Sequence, residues 1–180
     1  MTGSINVIIG CMFSGKTSEL IKIARRNRII NKNVIIINYS DDLRYSDESK
    51  MMSHDRIGLE CISCRNLNEI LNNNQYPAAD IICINEGQFY ENLHNFCTVA
   101  SQHKHVYVCG LDGDYLQRPF GEMLSIIPIA ENVERLHAFC KGCNDGTLAF
   151  FTKRIADSDE TVLIGGEESY IPVCRKCLRR

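Results

Sequence analysis

The sequence has no tryptophan and only four prolines in 180 residues. It has no apolar run near the ~20 residues that a membrane-spanning helix needs, which argues against a membrane partner. Its opening MTGSINVIIG carries no basic stretch ahead of an apolar one, so it does not read as an export signal. It also lacks an excess of positive charge: 20 basic residues stand against 22 acidic ones, for a net charge of -2. A chain that binds nucleic acid normally carries a basic excess or stripe. The only dense basic stretches here are Arg25, Arg26 and Arg28, and the tail Arg175, Lys176, Arg179 and Arg180. Both read as solvated surface, so the composition favours a small-molecule substrate over a nucleic acid. Hydrophobic residues make up 44% and charged residues 23%. Those globular values exclude collagen-like, coiled-coil and disordered classes. Nor are there repeats or low-complexity linkers. The length suggests one domain with a small appendage.

Cysteine, by contrast, is abundant, at ten residues. Without an export signal these are not expected to be disulfides, because the cytosol keeps thiols reduced. Three C-x-x-C pairs occur: Cys61/Cys64, Cys140/Cys143 and Cys174/Cys177. The last two lie close enough in sequence to complete a tetrahedral zinc site with four thiolates. Such a closed shell is structural, because no position is left for water. The segment of Cys61/Cys64 reads as a strand, and no second pair remains to complete a site there. Cys11, Cys83, Cys97 and Cys109 are expected to pack as small apolar residues.

Along the chain, Ile5–Ile9, Val34–Tyr39, Ile81–Ile84 and Val106–Cys109 are short apolar runs of the kind that form buried strands. Ser18–Ile30 and Glu91–His103 have helical spacing, and Asn66 is placed to cap a short helix over Asn66–Asn72. Ile57–Ile62 is a further strand candidate, and the polar stretch Ser40–Asp55 reads as a surface loop. Strands alternating with helices predict an α/β fold, with a mainly parallel sheet covered by helices on both faces. In such sheets ligands sit beyond the carboxyl ends of the strands. Three polar clusters fall at such ends: Gly10–Thr17, Asn85–Gln88 and Leu111–Gly121. From Cys140 the periodicity fades. The expected division is therefore a nucleotide-binding domain over 1–139 and a small zinc-bound domain over 140–180.

Gly10-Cys-Met-Phe-Ser-Gly15-Lys16-Thr17 fits G-x-x-x-x-G-K-[ST], following a strand and opening a helix. Chance yields this pattern in roughly 1% of chains of this size, so with the right context it is a strong sign of a nucleotide phosphate loop. Gly10 and Gly15 let backbone N–H groups converge on phosphate oxygens. Ser14 lies within the loop, Lys16 adds a positive charge for the β and γ phosphates, and Thr17 offers a hydroxyl to Mg²⁺. Asn85-Glu86-Gly87-Gln88 follows an apolar strand where nucleotide-hydrolysing and kinase folds usually place a Mg²⁺-associated Asp. Asn85 stands in that place, and Glu86 is the carboxylate left to accept a proton.

Taken in order, CMFSGKT at 11–17, DLRYS at 42–46, HDR at 54–56, NEGQF at 85–89, LDGDY…RPFG at 111–121, TKR at 152–154, IGG at 164–166, Tyr170 and the two Cys pairs resemble the zinc-containing, tetrameric type of thymidine kinase. The resemblance covers essentially the whole chain. It implies a P-loop, RecA-like fold and an ATP-dependent, cytoplasmic homotetramer that phosphorylates the 5′-hydroxyl of thymidine, and of deoxyuridine, in nucleotide salvage. It implies that Glu86 is the general base, that Lys16 and Arg44 are its catalytic companions, and that Gln88 belongs to the nucleotide site. It places the nucleoside against Met12, Phe89, Leu111, Tyr115, Phe120, Thr152, Gly166 and Tyr170. Thr152–Tyr170 would form a lasso over the base, with zinc tying down both roots of that loop. It also implies feedback inhibition by thymidine triphosphate. Relatives usually have Asp where this chain has Asn85, often have Phe where it has Tyr115, and some are slightly shorter between Cys143 and Thr152. A nucleoside monophosphate kinase would share the phosphate loop but needs an Arg-rich lid. A zinc-ribbon DNA-binding ATPase would need more chain and a basic face.

Overall fold

The structure is a computed structural model that describes residues 2–40, 50–52, 58–157 and 165–180. In chain order the elements are β1 (Ser4–Gly10), α1 (Lys16–Ile29), β2 (Val34–Tyr39), β3 (Lys50–Met52), β4 (Gly58–Glu60), β5 (Ile62–Cys64), α2 (Asn68–Leu71), β6 (Ile81–Ile84), α3 (Leu93–Ala100) and β7 (His105–Gly110). Then come β8 (Asn132–Leu136), β9 (Ala138–Phe139), β10 (Leu148–Ala149), β11 (Phe151–Arg154), β12 (Tyr170–Val173) and α4 (Arg175–Leu178). No helix among the described residues is long and apolar enough to cross a membrane.

The core is a six-stranded parallel sheet in the order β5-β2-β6-β7-β1-β8. Because strand residues alternate between faces, each central strand divides its apolar residues between two cores. Ile5, Val7 and Ile9 of β1, Ile35 and Ile37 of β2, Ile82 and Ile84 of β6 and Val106 and Val108 of β7 face one way, packing with Leu67 and Ile70 and with Leu93, Phe96, Cys97 and Ala100 of α3. Ile8, Ile36, Ile81, Cys83 and Cys109 face the other way, against Leu20, Ile21 and Ala24 of α1. Burial on both faces is why these strands read as unbroken apolar runs.

The expected strands and helices are present, β2 and β6 with the expected ends and others with shifted ones. The first helix starts at Lys16 rather than Ser18, because the phosphate loop leads straight into it, and α3 is confined to Leu93–Ala100. The short helix expected over Asn66–Asn72 is only Asn68–Leu71, with Leu67 and not Asn66 at its N-cap, and Asn66 Oδ1 accepts the N–H of its first residue, Asn68, at 2.9 Å. Two further readings need correction. Lys50–Met52 is not loop but a strand paired antiparallel with β4, and Met51 is buried under α1's side of the sheet. The single strand expected over Ile57–Ile62 is two, β4 and β5, and Ile57 lies outside the described residues. The strand β8 carries no apolar signature, because it is an edge strand with four of its five residues exposed.

From β9 onward the chain forms two antiparallel pairs, β9–β10 and β11–β12. Their small core is Ala138, Cys140, Ala149, Val173 and Cys177, together with Cys11 from the loop after β1.

Candidate active site

The loop between β1 and α1 has a shape that glycine permits. Gly10 has φ 152°, and a Cβ there would lie 2.5 Å from the Leu136 carbonyl oxygen. The following turn brings backbone N–H groups to the start of α1, where unpaired donors and the helix dipole favour an anion. Lys16 Nζ donates to the Cys11 carbonyl at 2.7 Å, folding back across the loop. Two further bonds tie this loop to the C-terminal region: the Met12 N–H donates to Thr152 Oγ1 at 3.0 Å, and Cys11 Sγ to the Ala149 carbonyl at 3.4 Å.

The carboxyl end of β6 lies directly beside this loop. Asn85 is only 3% exposed. Its Oδ1 accepts from Thr17 Oγ1 at 3.2 Å and from Cys109 Sγ at 3.0 Å, and its Nδ2 donates to Asn38 Oδ1 at 2.8 Å. Burial pushes the Cys109 thiol up, so it stays protonated and serves as a donor. An oxygen-bearing side chain bonded to the hydroxyl after the loop lysine is a donor arrangement compatible with a hydrated Mg²⁺.

Glu86 follows in the left-handed region, with φ 54°. That conformation turns the chain out of β6 into the short turn that follows. Gln88, itself buried, donates from Nε2 to Glu86 Oε2 at 2.5 Å and accepts the Leu111 N–H on Oε1 at 3.0 Å. One amide therefore orients the carboxylate and the start of the loop after β7.

The aromatic residues gather in two groups. Phe89 stacks on Tyr39 (5.0 Å between centroids) and meets Phe120 edge-on at 5.5 Å. The Arg154 guanidinium lies 3.8 Å from the Tyr115 ring centroid, and its Nη2 donates to the Tyr170 hydroxyl at 3.0 Å. Of the residues expected around a nucleoside, Met12 and Tyr170 are buried, while Phe89, Leu111, Tyr115 and Phe120 are half-buried. The Thr152 hydroxyl turns to the phosphate loop, and the Gly166 carbonyl accepts the Ser169 and Tyr170 N–H groups. Arg44, and the middle of the expected lasso at 158–164, lie outside the described residues. The sequence reading passed over Asn38, Tyr39 and Arg154 as site residues. For the first two the available signal was a polar Asn-Tyr step ending an otherwise apolar strand.

The sulfurs of Cys140, Cys143, Cys174 and Cys177 all lie within 4.8 Å of one another. Cys143 Sγ is 3.7 Å from Cys174 Sγ and 3.6 Å from Cys177 Sγ. A tetrahedral zinc with bonds of ~2.3 Å holds its sulfurs about 3.8 Å apart, so the set fits zinc. A Cβ on Gly142 would fall 2.8 Å from Cys177 Sγ, so glycine permits the close turn around the sulfurs. Burial raises the Cys140 thiol, but N–H groups from Cys174, Cys143 and Gly142 outweigh it and bring the thiol down to about 6. Among the described residues this is the only group of three or more Cys, His, Asp or Glu side chains arranged to hold a metal.

The family model described as thymidine kinase matches residues 3–178. The thymidine kinase of Yaba monkey tumor virus (strain VR587) is 41% identical over 177 residues, covering 98% of this chain and 94% of that one. Thymidine kinase a of Arabidopsis thaliana is 41% identical over 180 residues, covering 97% of this chain and 74% of that one. Thymidine kinase 1 of Dictyostelium discoideum is 39% identical over 181 residues, covering 98% and 78%.

Proposed function

The chain belongs to the thymidine kinase family, and from that premise we propose that it transfers the γ-phosphoryl group of ATP to the 5′-hydroxyl of thymidine, and of deoxyuridine, giving the nucleoside monophosphate and ADP. The observation that carries this reading is the bond between Thr17 and Asn85, which sets Glu86 at the end of β6 beside the phosphate loop. The Glu86 carboxylate, oriented by Gln88, takes the proton of the 5′-hydroxyl. The freed oxygen forms a bond to the γ phosphorus as the bond to the bridging oxygen breaks, and ADP leaves with the electron pair. Lys16 and the loop N–H groups hold the phosphate charge, with Arg44 as a further cation. The Thr17 hydroxyl, with Asn85 bonded to it, would hold a Mg²⁺ ion, which when bound would supply charge neutralisation at the phosphates. The base lies among Met12, Phe89, Leu111, Tyr115, Phe120 and Tyr170, with Gly166 permitting a close backbone. The four cysteines of the segment 140–180 would hold a structural zinc, which would tie down the roots of the segment that covers the base. Thymidine triphosphate fits the same site as a feedback inhibitor. The enzyme works as a cytoplasmic homotetramer.

The test is a phosphorylation assay with purified protein, ATP and Mg²⁺, with thymidine, thymidine monophosphate or DNA as the alternative partner. Conversion of thymidine to its monophosphate supports the reading. Phosphorylation of the monophosphate alone, or ATP hydrolysis that depends on DNA, overturns it.

A further inference from the structure

Three adjacent parallel strands end in a row of polar side chains at one level of the sheet. Ile37 pairs with Ile84, Ile84 pairs with Val108, and the Asn85 N–H donates to the Ile37 carbonyl at 2.9 Å. The next residues, Asn38, Asn85 and Cys109, therefore stand side by side. Each lies two positions beyond a residue packed toward α1, namely Ile36, Cys83 and Tyr107. The period of two puts all three on that same face, where the first turn of α1 brings Thr17 onto Asn85. Asn85 fills its carboxamide with these neighbours: oxygen to Thr17 and Cys109, nitrogen to Asn38. Asn38 is itself 8% exposed.

We propose that Asn38 is a positioning residue of the nucleotide–cation site, fixing which way round the Asn85 carboxamide stands. The proposal rests on the kinase reading above. A carboxamide fits one cavity in two orientations of nearly equal shape and opposite hydrogen-bonding character. With Oδ1 toward Thr17, the threonine hydroxyl gives its proton to Asn85 and keeps its lone pairs for a divalent cation. Turned over, the carboxamide would present N–H to those lone pairs and drive the hydroxyl hydrogen outward, toward the cation. A carboxylate at position 85 would have no wrong orientation, because its two oxygens are equivalent. An amide does, and the acceptor on Asn38, in the shortest of the three bonds, holds it the right way. The Cys109 thiol does not decide the matter, since sulfur is only a weak donor and a weak acceptor. Asn38 reaches the cation only through Asn85, so its loss should act on metal-dependent binding and leave the nucleoside site alone.

The experiment measures binding of a fluorescent N-methylanthraniloyl ATP to the full chain as Mg²⁺ is raised from chelated to saturating. Asn38→Leu should raise the Mg²⁺ concentration for half-maximal effect about tenfold, the scale of a buried hydrogen bond lost from one partner. Nucleotide affinity without Mg²⁺ and the KM for thymidine should stay within about twofold. Asn38→Asp keeps an acceptor facing Nδ2 and should retain the wild-type Mg²⁺ curve or shift it lower. In an Asn85→Asp background the orientation problem is gone, so adding Asn38→Leu should move the curve less than about twofold. An unchanged curve for Asn38→Leu overturns the proposal, as does an equal shift in both backgrounds, which marks a plain packing loss. Asn38→Ala repeats the comparison should the leucine variant not fold. A wild-type protein that binds no nucleotide at any Mg²⁺ concentration overturns the kinase reading, and this proposal with it. Nucleotide binding that stays Mg²⁺-dependent but indifferent to residue 38 overturns this proposal alone.

Discussion

Replacing Thr152 with valine tests whether the phosphate loop takes its position from the C-terminal module. Thr152 Oγ1 accepts the Met12 N–H at 3.0 Å, and both residues are 7% exposed. Valine is nearly the same shape, so no cavity opens, and the change reduces to one lost acceptor. The Met12 N–H is then left buried opposite a methyl group, at a cost of ~1–3 kcal/mol. Taking ~2 kcal/mol, and ~2–4 °C of Tm per kcal/mol for a chain of this size, the melting temperature should fall by about 4–8 °C. Because the bond holds the loop ahead of Lys16 and Thr17, the KM for ATP should rise by roughly five- to tenfold, a fraction of the same free energy. Thr152→Ser keeps the hydroxyl and should recover most of both losses. Calorimetry and initial-rate kinetics with ATP and thymidine varied separately give the answer. Unchanged Tm and ATP KM in Thr152→Val would refute the tie. A rise confined to the KM for thymidine would mark Thr152 as a nucleoside contact only.

Glu86→Gln should leave nucleotide binding nearly intact and lower kcat by about 10²–10⁴-fold, the range for a lost general base; near-normal turnover would remove Glu86 from that role. Freshly purified protein should carry one zinc per chain, and Cys174→Ser should lose it along with much thermal stability, since structural zinc binding carries ~10–16 kcal/mol coupled to folding. Wild-type protein without metal, or a serine variant with unchanged Tm, would contradict the four-thiolate site. Asn85→Asp places a carboxylate next to Thr17 and should lower the Mg²⁺ requirement several-fold while thymidine affinity holds, because one charge a few Å away at an effective dielectric of ~20 is worth a few kcal/mol before solvent compensation. Identical Mg²⁺ and rate curves would take Asn85 out of the metal site. Thymidine triphosphate should compete with thymidine, and a triphosphate that leaves initial rates untouched would argue against the shared pocket.

What the sequence revealed and what it hid follow from burial. Val34–Tyr39 and Ile81–Ile84 coincide with β2 and β6 to the residue, because strands covered on both faces must be apolar throughout. The strand β8, with its Glu134 and Arg135, is covered on too little of its surface to leave that pattern. Met51 went unnoticed for a different reason: a three-residue strand gives periodicity no room to show, and the residues on either side of the strand, Ser49 and Ser53, are polar. The phosphate loop and the four cysteines were legible because their chemistry dictates spacing. The partners of Thr152 and Asn38 were not, because a hydroxyl or amide states what it can bond to and never where the bond goes. Residues 140 apart, such as Met12 and Thr152, meet only once the sheet is built. Cys11 was expected to pack as a small apolar residue, and it is buried as expected. What the sequence did not disclose is that it packs into the core of the C-terminal module.

That last placement gives a physical reason for a structural metal in such a chain. The buried members of the small core are Cys11, Ala138, Cys140, Ala149, Val173 and Cys177, all small side chains. Phe13, Phe151, Ile171 and Leu178 pack against this cluster but are only partly buried, so little apolar surface is fully covered between the two strand pairs. Segments this short ordinarily need a metal, disulfides or a partner surface to stay folded. The four cysteines are arranged so that they could take up the first, and the loop after β1 offers the third through Cys11 and the Met12–Thr152 bond. The loop gains from the same contacts. Glycine-rich loops are entropically expensive to fix, and this one is clasped by backbone and hydroxyl acceptors from β10 and β11 on one side and by the Asn38–Asn85–Thr17 row on the other. The module that the sheet helps to fold is thus the one that holds the backbone amides of the loop between β1 and α1 in place.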